Sequence, residues 1–289
     1  MGKDLEMYIE KINSPKDIKK FQIKELTELA GEVREAIINK VSDCGGHLAS
    51  NLGMVELTIA LHYVFDSPKD KFVFDVSHQT YCHKILTGRK DAFIEKESYQ
   101  NVTGFSNPLE SEHDLFAVGH TSTSISLACG LAKARDLRRE TENVIAIIGD
   151  ASLDGGEAFE ALNCASEITG NLIVIINDNE MSIPENHGAL GKHLKDLRLS
   201  AGTLPNNFFK ALGFQYLLVE KGNDIEAVIK ALNHVKDTKV PVVVHVCTQK
   251  GKGFKPAEED KENWHWARPF DKETGKRKNP DVVENYGNI

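Results

Sequence analysis

The chain has 289 residues, 40% hydrophobic and 27% charged, ordinary for a globular protein with one large core or two small ones. Its formal net charge of -8 argues against nucleic acid, whose phosphates would be repelled rather than neutralised. No apolar run approaches the roughly 20 residues that cross a bilayer, the opening residues lack a signal peptide's apolar stretch, and Glu6 stands where a myristoylation signal wants Ser or Thr.

In chain order, Leu26, Leu29, Val33, Ile37 and Val41 fall on one helical stripe, within an element expected over 18–41. Asp43-Cys44-Gly45-Gly46 ends it, glycine supplying the left-handed turn. A second helix is expected over 54–64, a short strand over 72–75 and a helix of small residues over 124–135. The centre alternates more plainly: a strand at 144–148, a helix at 156–168 and a strand at 172–176. A strand at 214–219, a helix at 225–235 and a strand at 241–248 follow. Continuous apolar strands alternating with helices predict an α/β fold, a mostly parallel sheet covered on both faces, filling residues 1–249. From 250 to 289 glycine, proline and charge dominate, and the stretch reads as a surface arm and linker. Trp264 and Trp266 within it serve either as a partner surface or as pins onto the domain. The five cysteines, Cys44, Cys82, Cys129, Cys164 and Cys247, form no C-x-x-C pair. They read as reduced core or near-core thiols of a cytoplasmic protein.

Ligands of a parallel sheet bind at the carboxyl ends of its strands. Asp150 ends one expected strand and Asn179 lies just past the next, so both should emerge on one edge. A carboxylate and an amide oxygen there suit magnesium, which completes its octahedron with waters and phosphate oxygens. The helix starting near Gly155-Gly156 turns its positive end to the same edge and favours a diphosphate. Either residue alone would read as a turn cap; the combination of G-D, a glycine-rich helix start and N-D-N reads as a ligand site.

Gly149-Asp150 through Asn177-Asp178-Asn179 resembles the motif of thiamine-diphosphate enzymes. The longer phrases resemble the 1-deoxy-D-xylulose-5-phosphate synthase family, of transketolase type: Gly45-Gly46-His47-Leu48, Asp75-Val76-Ser77-His78-Gln79, His83-Lys84-Ile85-Leu86-Thr87-Gly88-Arg89 and Val118-Gly119-His120 among them. The resemblance covers essentially the whole chain. It implies magnesium on Asp150, Asn179 and the carbonyl of Met181, with Ala151 and Ser152 beside the diphosphate. His78, Gly119, His120, Thr121, Asn179 and Phe254 would contact the thiamine diphosphate. His47, His78 and His265 would face the reacting carbon, moving protons or holding substrate oxygens. Ala151 stands where the family usually carries glycine, and its methyl would lie toward the diphosphate. Ala49 likewise replaces a glycine, Thr121 a serine and Phe254 a tyrosine. His62, His113, His187, His193, His234 and His245 read as capping or solvent-facing.

The implied reaction is the decarboxylating condensation of pyruvate with glyceraldehyde 3-phosphate, feeding isoprenoid and thiamine synthesis. The family's activating glutamate belongs to a second α/β domain, followed by a third, and no acid here stands in a matching context. The stretch 284–289 reads as the threshold of that domain. The expectation is therefore a truncated product or one subunit of a split enzyme, inactive alone, and a homodimer or an assembly with a chain supplying the pyrimidine-binding domain. The alternatives are a subunit of a split transketolase-like enzyme and a non-catalytic orphan cofactor-binding domain. P-loop, H-E-x-x-H and G-x-G-x-x-G signatures are absent.

Overall fold

The computed structural model describes residues 7–278; the myristoylation reading at Gly2 and Glu6 and the domain threshold at 284–289 lie outside them. Helix α1 spans Ile23–Cys44, α2 Val55–Val64 and strand β1 Lys71–Phe74, followed by α3 (Ser124–Arg138), β2 (Val144–Gly149) and α4 (Gly156–Ala165). Then come β3 (Leu172–Asp178), α5 (Gly188–Leu199), β4 (Gln215–Val219), α6 (Ile225–Val235) and β5 (Val242–Cys247). The five strands form one sheet in the order β1-β2-β3-β5-β4, every pair parallel.

Side chains alternate across a strand, so each apolar strand feeds two cores. Ile145, Ile147, Ile173, Ile175, Val242 and Val244 point toward α1, α2 and α6, whose stripe Leu26, Leu29, Val33, Ile37 and Val41 is fully buried. Ala146, Ile148, Val174, Ile176 and Val243 point the other way, toward α3, α4 and α5. The small residues Ala128 and Ala132 let α3 lie close to the sheet. Burial of strands on both faces is what makes them read as unbroken apolar runs.

Residues 250–278 pack back on the domain. Phe254, Ala257, Ala267 and Phe270 join the α1/α2 core. Trp264 stands edge-on to Phe254 and Phe270, at 5.1 and 4.7 Å between ring centres, whereas Trp266 is half exposed. Antiparallel bonding of Gly46 with Ala267, N–H to carbonyl in both directions at 2.8 Å, ties this segment to the end of α1.

Some solvent-facing expectations are overturned. His62 and His245 are fully buried, each paired through a ring nitrogen, with His83 and with Asp178 respectively. Cys44 and Cys164, expected in or near the core, are exposed; all five thiols are free. Among the described residues no helix is long and apolar enough to cross a membrane.

Candidate cofactor and metal site

In-register pairing aligns the carboxyl ends of the strands. Gly149 lies opposite Asn177 and Asp178 opposite Cys247, while the Asp150 amide donates to the Asn177 carbonyl at 3.2 Å. The loops leaving β1, β2, β3 and β5 therefore share one edge. There they enclose a cavity of about 240 Å³, lined by His47, His78 and His265, by Asp150, Ala151 and Ser152, and by Thr121, Asn179, Met181 and Lys250.

Asp150 is 4% exposed. Its Oδ1 accepts from the Ala151 amide at 3.0 Å, but Oδ2 is buried with no partner. Burial first, and then the charge of neighbouring Asp178, push its carboxyl well above the usual carboxylate range. Asp178 behaves oppositely. Burial works to raise it, but the His245 hydrogen bond and the Arg198 charge hold it down, to about 2. Its Oδ2 accepts from His245 Nε2 at 2.7 Å and pairs with Arg198, and its Oδ1 accepts from the Glu180 amide at 3.1 Å. Asp178 thus has its own partners, the Arg198 cation among them, and Asp150 is the acid left without one. A buried carboxylate oxygen without a donor fits a cation. Asn179, whose Oδ1 accepts from the Met181 amide at 3.1 Å, lines the same cavity with one hard oxygen more.

The Ala151–Ser152 side is built by close approach. Ser122 Oγ donates to the Ser152 carbonyl at 2.7 Å, and a Cβ on Gly155 would lie 2.0 Å from that Oγ. Asp75 accepts from the Ser122 and Ser124 amides at 2.8 and 2.9 Å, which pins the loop carrying Thr121. Backbone strain gathers here. Val76, Ser77, Ser122 and Glu180 have φ of 57, 67, 73 and 64°, left-handed values that a β-branched valine rarely adopts.

The three histidines converge from distant chain positions. Ring centres of His47 and His78 lie 4.8 Å apart, those of His47 and His265 5.5 Å, and those of His78 and His265 5.3 Å. Buried Asn51 joins the first two, donating from Nδ2 to both carbonyls at 2.7 and 2.8 Å. The Gly46–Ala267 bonding brings the third. Gly45 permits that approach, since a Cβ there would stand 3.0 Å from the Ala267 carbonyl oxygen. Burial lowers all three, His78 well below its ordinary value and His265 to about 4. They are neutral at pH 7, and Nδ1 of His78 and of His265 is buried without a partner.

This neutrality has a sign in pH. A histidine depressed by folding contributes stability that is full above its unfolded value of 6.5 and lost as pH falls toward its folded value. Thermal melts between pH 7 and 4 are expected to show a falling Tm, with a shallower fall in His265→Gln. Equal slopes in the two proteins would contradict this assignment.

Of the residues expected from sequence, Gly119 and His120 stand exposed outside the cavity lining, with His120 Nδ1 2.8 Å from the Thr121 carbonyl oxygen. Phe254 is not brought to the cavity either. It is a core residue, 8% exposed, held between Trp264 and Phe270. Sequence reasoning missed Asn51, His245 and, above all, Lys250. That lysine is 1% exposed, donates to the Ser182 carbonyl, and is lowered by burial to about 8. Its one signal was a lysine beside turn glycines, Gly251 and Gly253, right after a strand.

Known proteins resemble this chain in sequence and in fold. A family model described as 1-deoxy-D-xylulose-5-phosphate synthase matches residues 9–204 and 198–248. The chain is 45% identical to the 1-deoxy-D-xylulose-5-phosphate synthase of Caldanaerobacter subterraneus subsp. tengcongensis, over 93% of this chain and 49% of that one. It is 46% identical to that of Syntrophotalea carbinolica, over 92% and 48%. The chain thus spans about half the length of the curated relatives it matches. Among solved structures, the transketolase of Campylobacter jejuni subsp. jejuni superposes with a TM-score of 0.68 at 22% identity, covering 86% of this chain and 41% of that one. The Leishmania mexicana transketolase gives 0.63 at 21%, over 86% and 39%. At such identities the structural likeness shows the fold alone.

Proposed function

We propose, from the premise that the chain belongs to the 1-deoxy-D-xylulose-5-phosphate synthase family and matches the N-terminal portion of its members, that it is the part that holds thiamine diphosphate and magnesium. The observation that carries this is the buried, unpartnered Asp150 Oδ2 facing a cavity that also contains Asn179. Asp150, Asn179 and the Met181 carbonyl would hold the metal. Ala151 and the Ser152 amide, the positive end of α4 and the Lys250 ammonium would meet the diphosphate. The Ala151 methyl faces this same wall, so its fit is part of the test.

The cofactor, when bound, supplies stabilisation of a carbanion that side chains alone cannot stabilise. The protein groups contribute the rest. Neutral His47, His78 and His265 can each accept a proton from, or donate a hydrogen bond to, a substrate oxygen in the cavity. Lys250 adds positive charge that a carboxylate or phosphate would meet in a poorly hydrated place. Pyruvate and glyceraldehyde 3-phosphate are the substrates this reading assigns, with turnover in a homodimer or an assembly that includes the other half of the relatives' length.

Titration calorimetry of the chain with thiamine diphosphate is expected to give saturable heat with Mg2+ present and none with chelator. With the complementing domains added, the assembly should consume pyruvate and release carbon dioxide. Ketol transfer between sugar phosphates without pyruvate would favour the transketolase reading. Absence of heat even in the assembly would mark the domain as non-catalytic.

A further inference from the structure

One aromatic side chain stands against the histidines from outside both cores. Phe105 is 37% exposed, and its ring meets that of His47 edge-on, 5.6 Å between centres at 75°. A single exposed phenylalanine is unremarkable by itself. What distinguishes this one is the bonding of the segment that carries it. Loop tips are ordinarily the least anchored parts of a fold. Here the Ser106 amide donates to Ser77 Oγ at 2.9 Å, and Thr103 Oγ1 to the Phe105 carbonyl at 2.9 Å. The Thr103 amide donates to Glu110 at 2.8 Å and the Asn107 amide to Asp114 at 2.8 Å. Those two acids are in turn gripped from beneath: Glu110 by the Lys84 and Arg89 cations, Asp114 by Arg89 and by the His83 ring nitrogen Nε2.

We propose that Phe105 is a positioning residue for His47, a fixed apolar shield over the solvent side of its ring, held in place by the clamp of Glu110 and Asp114 on Lys84 and Arg89. His47 also lines the cavity, so on this arrangement it meets substrate from there while Phe105 keeps water from the side that it covers. An edge-on aromatic contact also fixes the ring plane. This rests on the reading of His47 as a group that faces the reacting carbon. The shielding itself needs no cofactor. The titratable groups around His47 are His78 from the loop after β1, His265 from the C-terminal segment and the Tyr81 phenol, which bonds the His47 backbone. Asp75, Asp150 and Lys250 lie elsewhere on the cavity wall. Burial is the cause that lowers His47, and the Phe105 ring is one of the three that pack against it.

The test is a histidine NMR titration of the chain, wild type against Phe105→Ala, Phe105→Leu and Glu110→Gln. In Phe105→Ala the His47 midpoint is expected to rise toward its ordinary 6.5, while His265, whose ring meets those of His47 and His78, stays put. Phe105→Leu keeps the apolar bulk and should titrate like wild type. Glu110→Gln loosens the clamp and should give an intermediate rise. An unmoved His47 in Phe105→Ala, or an equal rise in Phe105→Leu, overturns the shield; an unmoved His47 in Glu110→Gln overturns the clamp. These readings stand whether or not thiamine diphosphate binds, so failure of the cofactor assignment is seen separately by calorimetry.

Discussion

Asp150→Asn is expected to weaken magnesium-dependent thiamine diphosphate binding by at least about 100-fold, since even a metal site's outer partners are worth 10–100-fold. The same variant, free of cofactor, should melt at a higher temperature than wild type. Both follow from one arrangement. The carboxylate is buried, one of its oxygens has no donor, and Asp178 beside it is already satisfied by His245 and Arg198. Without a cation this is a cost to the fold, of roughly 1–3 kcal/mol for an unsatisfied buried group. An amide of the same shape relieves the charge at about 2–4 °C per kcal/mol. The pH sense is fixed as well. An acid raised by folding imposes a penalty that grows as pH rises above its unfolded value of 3.8. The advantage of the asparagine variant should therefore shrink toward acid. A variant that binds as wild type does, or melts lower at neutral pH, would remove Asp150 from the metal site.

The second large effect lies in a buried ion pair outside the cavity lining. Asp114→Ala should destabilise the domain by roughly 3–5 kcal/mol, the cost of leaving buried partners of an ion pair uncompensated, or about 6–20 °C in Tm. Asp114 has a side chain with no exposure, and accepts from Arg89 at 2.8 Å twice and from His83 Nε2 at 3.1 Å. With His83 donating there, its Nδ1 must accept from His62 Nε2 at 2.9 Å, which leaves His62 Nδ1 as the unpartnered atom that is found. Removing the acid breaks this chain of tautomers at its charged end. Burial works to raise Asp114, but the Arg89 and His83 hydrogen bonds hold it far below the usual carboxylate range. Its contribution is full above its unfolded value of 3.8 and is lost as pH falls below that. Melts of wild type and variant should therefore draw together under strong acid. A gap that persists unchanged there would contradict the ion-pair account.

Legibility of the sequence followed burial. β2 and β3 are apolar on both faces, so their runs stood out, and α6 matched its expected bounds because its stripe, Val228, Ile229 and Leu232, is unbroken. Helix α5 escaped notice. Two glycines and two lysines dilute its pattern, and only Leu194 and Leu197 are fully buried. The C-terminal segment read as a surface because its core residues, Phe254, Ala257, Ala267 and Phe270, are scattered among charges. Their contacts are long-range, with Gly46 and α1 rather than with sequence neighbours.

Within the site, the Asp150 and Asn179 edge could be argued from strand direction alone. The meeting of His47, His78 and His265 could not, because three loops and the Gly46–Ala267 bonding create it. His245 shows the same limit from the other side. Nothing local marks a strand histidine as the partner of Asp178, two crossovers away. The strain at Val76 and Ser122 is also invisible in composition, since neither residue type announces a left-handed turn.

The account turns on whether Asp150 and Asn179 share one ion with the cofactor's phosphates. A crystal structure of the chain with thiamine diphosphate and Mn2+, located by its anomalous scattering, measures this directly. The expected result is a single metal at roughly 2.0–2.2 Å from Asp150 Oδ2, from an Asn179 side-chain oxygen and from diphosphate oxygens. A metal bound elsewhere, or a diphosphate seated away from the Ala151–Ser152 wall, would contradict it.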